Sequence, residues 1–353
     1  MVLEKDSSVL GYPGETSKAL DADHHGVCKY DSPLDPNYIT VRNVLKSLVS
    51  KIVSRSNSMK MPTPNRKESH DLKALLAITE LPSTDYIFFR DQWAERTSGW
   101  ILSEVPYLKW LQSQDRQSQL LWLNGGAATG KSVLSSFIIN ELVEQGLSCQ
   151  YFFVRFGDHK KRNLATLLRS IAYQVALSIP TFMQSVVALQ EESIDFETAE
   201  PRIIWERIFK SVLFKMDIQK PLYWVIDGVD EADDPRAVIK LLTDIPSRSP
   251  SIRILLVGRN ISEISSALSK VPKSITLGSI SIEGHMEDLR CYVDQELNMA
   301  GGASFREKTT RRLLEGAQGN FLVSASHFMI NTSSIYTNPV VGSTCRRQIE
   351  YMP

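Results

Sequence analysis

The sequence predicts an α/β fold in which a mainly parallel β-sheet is flanked by helices. From residue 69 to residue 330, short apolar segments alternate with helical segments, the order typical of parallel sheets. The segments 149–154, 222–226 and 252–257 are nearly continuous apolar runs, as expected of strands covered on both faces. A glycine-rich loop at residues 125–130 joins the first apolar segment to a helical one.

The strands and helices of this fold follow from hydrophobic periodicity. The predicted strands are Leu120–Leu123, Cys149–Val154, Leu222–Ile226, Ile252–Val257 and Ile275–Ile282. The predicted helices are Ser132–Glu144, Leu164–Leu177, Ile203–Phe214, Ala237–Thr243, Met286–Leu297 and Phe305–Glu315, with a further amphipathic helix at residues 41–53. The last two helices of the main series have no strand between them and predict a helical appendage after the sheet.

Changes in composition along the chain divide it into segments. Residues 56–68 are rich in Pro, Ser and Lys and are predicted to be a linker. The full division is residues 1–55 (remnant of another domain), 56–68 (linker), 69–118 (helical lead-in), 119–283 (the core that contains the sheet), 284–330 (short helical appendage) and 331–353 (irregular tail).

The overall composition argues against several classes of protein. The 353 residues contain 40 Lys+Arg and 40 Asp+Glu, so nothing indicates binding to nucleic acid or an anionic membrane. No apolar run approaches the roughly 20 residues of a membrane span. The cysteines, with no C-x-x-C pair among them, are Cys28, Cys149, Cys291 and Cys345. We therefore expect a cytoplasmic protein from a reducing compartment.

The glycine-rich loop matches the Walker A pattern G-x-x-x-x-G-K-[ST], and it stands between a strand and a helix as that motif requires. Backbone N–H groups of the loop and of the helix N-terminus are expected to bind phosphates. Lys131 would contact the β- and γ-phosphates, and Ser132 would be a ligand of Mg²⁺. The predicted nucleotide-binding residues are Gly125, Gly126, Ala127, Ala128, Thr129, Gly130, Lys131, Ser132 and Asp227.

One residue of this loop is unusual. Ala128 stands where many such loops carry glycine. If the position requires a positive φ angle, an alanine there would be strained.

A second candidate element lies at the end of the strand 222–226. Asp227 follows this strand directly, at the position where P-loop enzymes hold Mg²⁺ through water. It is predicted to be a metal residue together with Ser132. Asp230 and Glu231 are predicted to orient or deprotonate the attacking water. Taken alone, these carboxylates would be interpreted as a solvated acidic turn; their position after the Walker A loop favours the Walker B interpretation.

The strand 252–257 is followed by a cation. Arg259 lies at its tip and is predicted to contact the γ-phosphate during hydrolysis. The alternative is an ordinary surface arginine.

These motifs resemble, in order, the NACHT class of STAND P-loop ATPases, in the fungal form called nephrocystin-3-like N-terminal domains. The resemblance covers residues 75–322 and includes the lead-in 89–111, the Walker A loop, Asp-Gly-Val-Asp-Glu at 227–231 and Glu-Gly-Ala-Gln-Gly-Asn-Phe-Leu at 315–322. It implies a nucleotide-driven switch in an NLR-like signalling protein that assembles with other NACHT chains. Ala128 and Gly258-Arg259-Asn260 depart from the family pattern.

The N-terminal segment resembles the end of a serine-esterase-like α/β-hydrolase domain, in which His24 would match the triad histidine. The chain contains no Gly-x-Ser-x-Gly nucleophile motif, so no esterase activity is expected.

Two functions from different classes remain open at this stage. The first is a module that binds ATP with Mg²⁺ and hydrolyses it slowly; ATP is favoured over GTP because no Asn-Lys-x-Asp motif is present. The second is a truncated adaptor that binds nucleotide or partner NACHT chains without turnover. A small-molecule kinase would need an acceptor site, for which the sequence has no motif.

Overall fold

The computed structural model describes residues 66–94, 96–113, 117–192, 194–247, 249–283 and 286–297, with residues 307, 310 and 311. The predicted helix 41–53, the hydrolase remnant with His24, most of the predicted helix 305–315 and the tail 331–353 lie outside the described residues. Among the described residues, no helix has both the length and the apolar character needed to cross a membrane.

A five-stranded sheet forms the centre of the described structure. Its strands are β1 (Gln119–Asn124), β2 (Ser148–Phe153), β3 (Leu222–Asp227), β4 (Ile252–Gly258) and β5 (Thr276–Ser281). They lie in the order β2-β3-β4-β1-β5, and every neighbouring pair is parallel. The predicted α/β fold with a mainly parallel sheet is confirmed, and each predicted strand is present to within two residues at either end.

Helices surround this sheet. They are α1 (Arg66–Leu75), α2 (Ser83–Arg90), α3 (Val105–Gln112), α4 (Lys131–Glu144), α5 (His159–Arg162), α6 (Leu164–Ser178), α7 (Pro180–Ala188), α8 (Pro201–Ile204), α9 (Pro235–Leu242), α10 (Ser262–Leu268) and α11 (Met286–Leu297). The first of them begins within the stretch predicted as linker. Short 3₁₀ turns occur at Gly99–Ser103, Leu189–Glu192, Leu213–Lys215 and Val229–Glu231.

The strands β1, β3 and β4 are covered on both faces because alternate side chains enter two different apolar clusters. In β1, Leu120 and Trp122 pack with α6 and α7, whereas Leu121 and Leu123 pack with α4 and the lead-in. All four side chains are at least 96% buried. This two-sided burial explains why β1, β3 and β4 are nearly continuous apolar runs in the sequence.

The helix predicted at residues 203–214 differs in its conformation. After α8, the chain continues as a π-helix over Trp205–Lys210 and ends in a 3₁₀ turn. Trp205 stacks on Phe209 with ring centroids 4.8 Å apart, and both contact Trp224 of β3 edge-on. The wider turn accompanies the packing of these large rings on one strand, a contact that periodicity does not reveal.

The strand order brings the predicted functional residues to one edge of the sheet. The carboxyl ends of parallel strands lie on the same side, and β4 lies between β1 and β3. The glycine-rich loop after β1, Asp227 at the end of β3 and Arg259 after β4 therefore occupy neighbouring positions.

Candidate functional site

The loop after β1 is folded tightly against β4 and β5. Gly125 donates its N–H to the Gly258 carbonyl at 3.3 Å. A Cβ at residue 125 would lie 2.8 Å from Thr129 Oγ1 and 3.2 Å from Ile282 Cβ, so a side chain does not fit there. Gly130 precedes α4 with a φ of 79°, a left-handed conformation suited to glycine. The loop thus carries glycine at one position where neighbouring side chains leave no room for a Cβ and at another where the backbone is left-handed.

Ala128 has a φ of 55°, so the strain expected from the sequence is present. L-residues in the left-handed region are disfavoured because Cβ approaches the following carbonyl oxygen, at a cost of about 1–2 kcal/mol. The described residues with positive φ other than glycine are Ala77, Arg96, Ser98 and Ala128.

We expect Ala128→Gly to raise the free energy of unfolding by about 0.5–1 kcal/mol, because relief of strain exceeds the added entropy of the unfolded chain. Denaturant unfolding without nucleotide measures this. The matched control is Ala127→Gly, since Ala127 is exposed and has no positive φ. That variant should lose stability, and equal effects of the two substitutions would contradict the interpretation.

Lys131 begins α4 and its side chain turns back over the loop. Its Nζ donates to the Gly125 carbonyl at 3.1 Å and also to the Gly126 carbonyl. Burial lowers the pKa of Lys131, although the carboxylates of Asp227 and Asp230 act in the opposite direction. The ammonium group is therefore held at the loop by carbonyl oxygens, which phosphate oxygens can replace.

Asp227 ends β3 and is 3% exposed. Its Oδ2 accepts a hydrogen bond from Ser132 Oγ at 2.6 Å, and its Oδ1 accepts one from Ser135 Oγ at 2.8 Å. Burial raises the pKa of Asp227 from 3.8 to about 6, although both hydroxyl groups and Lys131 act to lower it. The structure thus brings the two predicted metal residues, Ser132 and Asp227, into direct contact.

This pair fits a magnesium ion in the chemistry of its donors. Mg²⁺ prefers oxygen ligands and is held by one or two protein groups together with phosphate oxygens. Ser132 and Asp227 present a hydroxyl and a buried carboxylate at 2.6 Å from each other, at the N-terminus of α4. A bound cation would also compensate the buried charge of Asp227.

The structure pairs Asp230 with Arg259. Asp230 Oδ2 lies 2.6 Å from Arg259 Nε, and its Oδ1 accepts the backbone N–H of Arg259 at 2.9 Å. The Asp230 side chain is 5% exposed and that of Arg259 is 50% exposed. A Cβ at residue 258 would lie only 2.7 Å from Asp230 Oδ1, which explains the glycine at the end of β4. Asp230 therefore orients Arg259 in the ligand-free chain.

Glu231 contacts a different segment. Its Oε2 accepts the backbone N–H of Phe156, in the loop after β2, at 2.7 Å. Gly228, with a φ of 72°, makes this approach possible because a Cβ there would lie 2.6 Å from the Val154 carbonyl oxygen. The two carboxylates predicted to act as a pair are thus held by different partners.

Sequence reasoning missed three contributors to the site: Ser135, Gly258 and Phe156. Ser135 lies three residues after Ser132 on α4, so helical periodicity places both on one face. That spacing was the available signal for Ser135. The contacts of Gly258 and Phe156 depend on chain segments distant in sequence and have no local signal.

The sheet, the loop and the acidic strand end together define a protein with the fold of the P-loop NTPases. Residues 96–259 match the family described as "Nephrocystin 3, N-terminal". The chain is 27% identical, over 241 residues, to the vegetative incompatibility protein HET-E-1 of Podospora anserina. The aligned region covers 63% of this chain but only 17% of that protein. Over residues 96–259 the chain is thus similar to nephrocystin-3 N-terminal domains, and over the aligned region it is similar to a fungal protein, in line with the resemblance predicted from its sequence.

Solved structures of similar fold are more distant. Domain III of the replication initiation protein DnaA from Thermotoga maritima has a TM-score of 0.37 at 15% identity, covering 72% of this chain and 92% of that one. Drosophila ORC bound to poly(dA/dT) DNA and Cdc6 has a TM-score of 0.31 at 11% identity, and the match covers 70% of this chain and 40% of that one. These scores are too low to add to what the strand order itself shows.

Proposed function

We propose that this chain is a nucleotide-dependent switch module that binds ATP with Mg²⁺ and hydrolyses it slowly. The observation that supports this most strongly is the contact of Ser132 with the buried carboxylate of Asp227, close enough to Lys131 for its charge to act on that carboxylate. A hydroxyl, a carboxylate and an ammonium group at the N-terminus of a helix suit a metal-bound triphosphate.

Binding would use groups that are already in place. Backbone N–H groups of residues 125–132 and the N-terminus of α4 would surround the phosphates. Lys131 Nζ would exchange the carbonyls of Gly125 and Gly126 for phosphate oxygens. Ser132 and Asp227 would hold Mg²⁺, which supplies charge neutralisation at the phosphates when bound.

Hydrolysis would depend on the neighbouring strand ends. Glu231 or Asp230 would orient the attacking water, and Arg259 would stabilise charge on the γ-phosphate. Arg259 is half exposed, so its guanidinium can leave Asp230 for a phosphate without crossing the packed core.

The biological role that we propose rests on the similarity to HET-E-1. HET-E-1 is named a vegetative incompatibility protein, and on that likeness we propose a role in NLR-like signalling or nonself recognition. Other NACHT chains would be the partners on activation, and the protein would act in the cytoplasm. The balanced charge of the chain argues against nucleic acid as a partner.

A second candidate, a non-hydrolysing adaptor, is favoured by a specific observation. Both oxygens of Asp230 bind Arg259, so this carboxylate cannot orient a water molecule without a rearrangement, and only Glu231, with one oxygen bound by the Phe156 N–H, is left for that role. A chain of this kind would bind nucleotide and partner chains without turnover.

Phosphate release from Mg²⁺-ATP under multiple turnover distinguishes the two. For a hydrolase, we expect Glu231→Gln to reduce release by about 10²-fold or more while nucleotide affinity stays similar, because only the oriented water is lost. Lys131→Ala should abolish release and binding together. Wild-type release no faster than that of Lys131→Ala would favour the adaptor.

A further inference from the structure

Residues 154–162, which we call the bridging loop and which include the short helix α5, follow β2 and contact both the lead-in and the acidic end of β3. On one side lies α2 of the lead-in. There Asp85 Oδ1 lies 3.1 Å from Arg155 Nη1, and Asp85 Oδ2 lies 2.6 Å from Lys161 Nζ. Glu80, just before α2, lies 3.0 Å from the same Nζ. Both carboxylate oxygens of Asp85 are therefore bound by cations of a single loop.

Aromatic rings of α2 strengthen this attachment. The Arg155 guanidinium lies 5.4 Å from the ring centroid of Phe88 and 5.2 Å from that of Phe89. At these distances the ring faces attract the cation. Arg155 is thus fixed both by charge and by stacking on the lead-in helix.

On its other side, the bridging loop contacts the acidic end of β3. The Phe156 N–H donates to Glu231 Oε2 at 2.7 Å. Arg162 Nη2 lies 3.0 Å from Asp233 Oδ1, and the Arg162 carbonyl accepts the Asp233 N–H at 3.2 Å. Phe156, which holds Glu231, is the residue immediately after Arg155, which is held by Asp85.

We propose that Asp85 is a positioning residue for hydrolysis, which fixes the bridging loop and through the Phe156 N–H fixes the carboxylate of Glu231. The inference rests on the role of Glu231 under the proposed function. It assigns a task to a lead-in residue that lies outside every nucleotide-binding motif. It also makes the lead-in part of the hydrolytic site.

Asp85 can have this effect because its ion pair with Lys161 is largely buried. The side chains of Asp85 and Lys161 are 13% and 14% exposed. Without the carboxylate, a nearly buried ammonium group would keep only Glu80, a situation that proteins relieve by exposing the cation. Arg155 loses the same carboxylate, and because it directly precedes Phe156, the Phe156 N–H is then held less firmly against Glu231. The carboxylate is then free to adopt other rotamers.

The test is Asp85→Asn in the full chain, which preserves shape and removes charge. We expect phosphate release at saturating Mg²⁺-ATP to fall about tenfold, the size typical of a misplaced catalytic group, while nucleotide affinity changes less than about threefold. Without nucleotide, hydrogen exchange of the Phe156 amide should become about tenfold faster, because its hydrogen bond opens more often.

The matched control is Asp91→Asn. Asp91 follows α2 directly and pairs with Arg90 at 3.0 Å, but its side chain is 63% exposed. Both readouts should stay at wild-type values in this variant. If Asp85→Asn does not fold, Arg155→Gln removes the ion pair next to Phe156 from the loop side and leaves Lys161 bound to Asp85; the arginine side chain is 33% exposed.

The two readouts separate the inference from the function on which it rests. Unchanged exchange at Phe156 in both Asp85→Asn and Arg155→Gln would overturn the inference, whatever the rate of hydrolysis. Faster exchange with normal phosphate release would also overturn it, since Glu231 would then need no positioning. Faster exchange in a chain whose wild type releases no phosphate would refute the hydrolytic function and support the contact between Asp85 and the Glu231 segment.

Discussion

Asp227→Asn is expected to stabilise the ligand-free chain at neutral pH and to remove the Mg²⁺ dependence of nucleotide binding. Asn keeps the shape of the side chain and can still accept a hydrogen bond from Ser132 or Ser135. It removes a charge from a site that is 3% exposed. Functional residues that are costly to the fold are typical of active sites.

The size and pH dependence of this gain follow from the pKa of Asp227, which burial raises from 3.8 to about 6. Each pKa unit is worth about 1.4 kcal/mol, so ionised Asp227 costs the fold about 3 kcal/mol above pH 6. Between pH 4 and 6 the folded state binds more protons than the unfolded state, so the free energy of unfolding falls as the pH rises. Below pH 4 both states are protonated and the cost disappears.

Denaturant unfolding without Mg²⁺ at pH 5 and pH 8 measures the effect. We expect a gain of about 1–2 kcal/mol at pH 8, since Asn satisfies the two serines less completely, and a smaller gain at pH 5. The control Asp244→Asn removes a carboxylate that is 56% exposed and should change little at either pH. An equal gain at both pH values, or a loss at pH 8, would contradict the charge interpretation.

Gly228→Ala should be among the most destabilising single substitutions at the acidic strand end. Residue 228 has a φ of 72°, and a Cβ there would lie 2.6 Å from the Val154 carbonyl oxygen. The oxygen belongs to backbone, and the adjacent Val154 N–H donates to the Asp227 carbonyl at 2.9 Å, so it cannot move without disturbing β2 and β3. We expect a loss of about 3 kcal/mol and weaker nucleotide binding.

Gly146→Ala separates the two causes of this loss. Gly146 follows α4 with a φ of 70°, but a Cβ there would meet nothing within 4 Å. This variant should lose only about 1 kcal/mol, the cost of the left-handed conformation. Similar losses in the two variants would show that the contact with Val154 is unimportant.

Much of the fold could be predicted because its signals are local. The nearly continuous apolar runs of β3 and β4 reflect burial on both faces, and the glycine-rich loop has a fixed spacing between its strand and α4. The expected strain at Ala128 was confirmed by its φ of 55° because it follows from the backbone that such a loop requires.

The partners of the candidate catalytic groups could not be predicted. The contact of Asp230 with Arg259 spans 29 residues, and that of Phe156 with Glu231 spans 75. Such pairs depend on strand order and on the position of β4 between β1 and β3, which no local pattern contains. The sequence therefore indicated which groups are present at the edge of the sheet, but not which groups hold one another.

The most direct test of the central claim is calorimetric titration of the full chain with Mg²⁺-ATP and Mg²⁺-GTP, with Lys131→Ala as the control. Loss of the ammonium group at the loop should weaken ATP binding by about 10²-fold or more, since a charge-assisted contact to phosphate is removed. We predict micromolar binding of ATP by the wild type, weaker binding of GTP and no measurable binding by the variant. A folded wild-type chain that binds neither nucleotide, or a variant that binds as tightly as the wild type, would contradict a nucleotide-binding function at this loop.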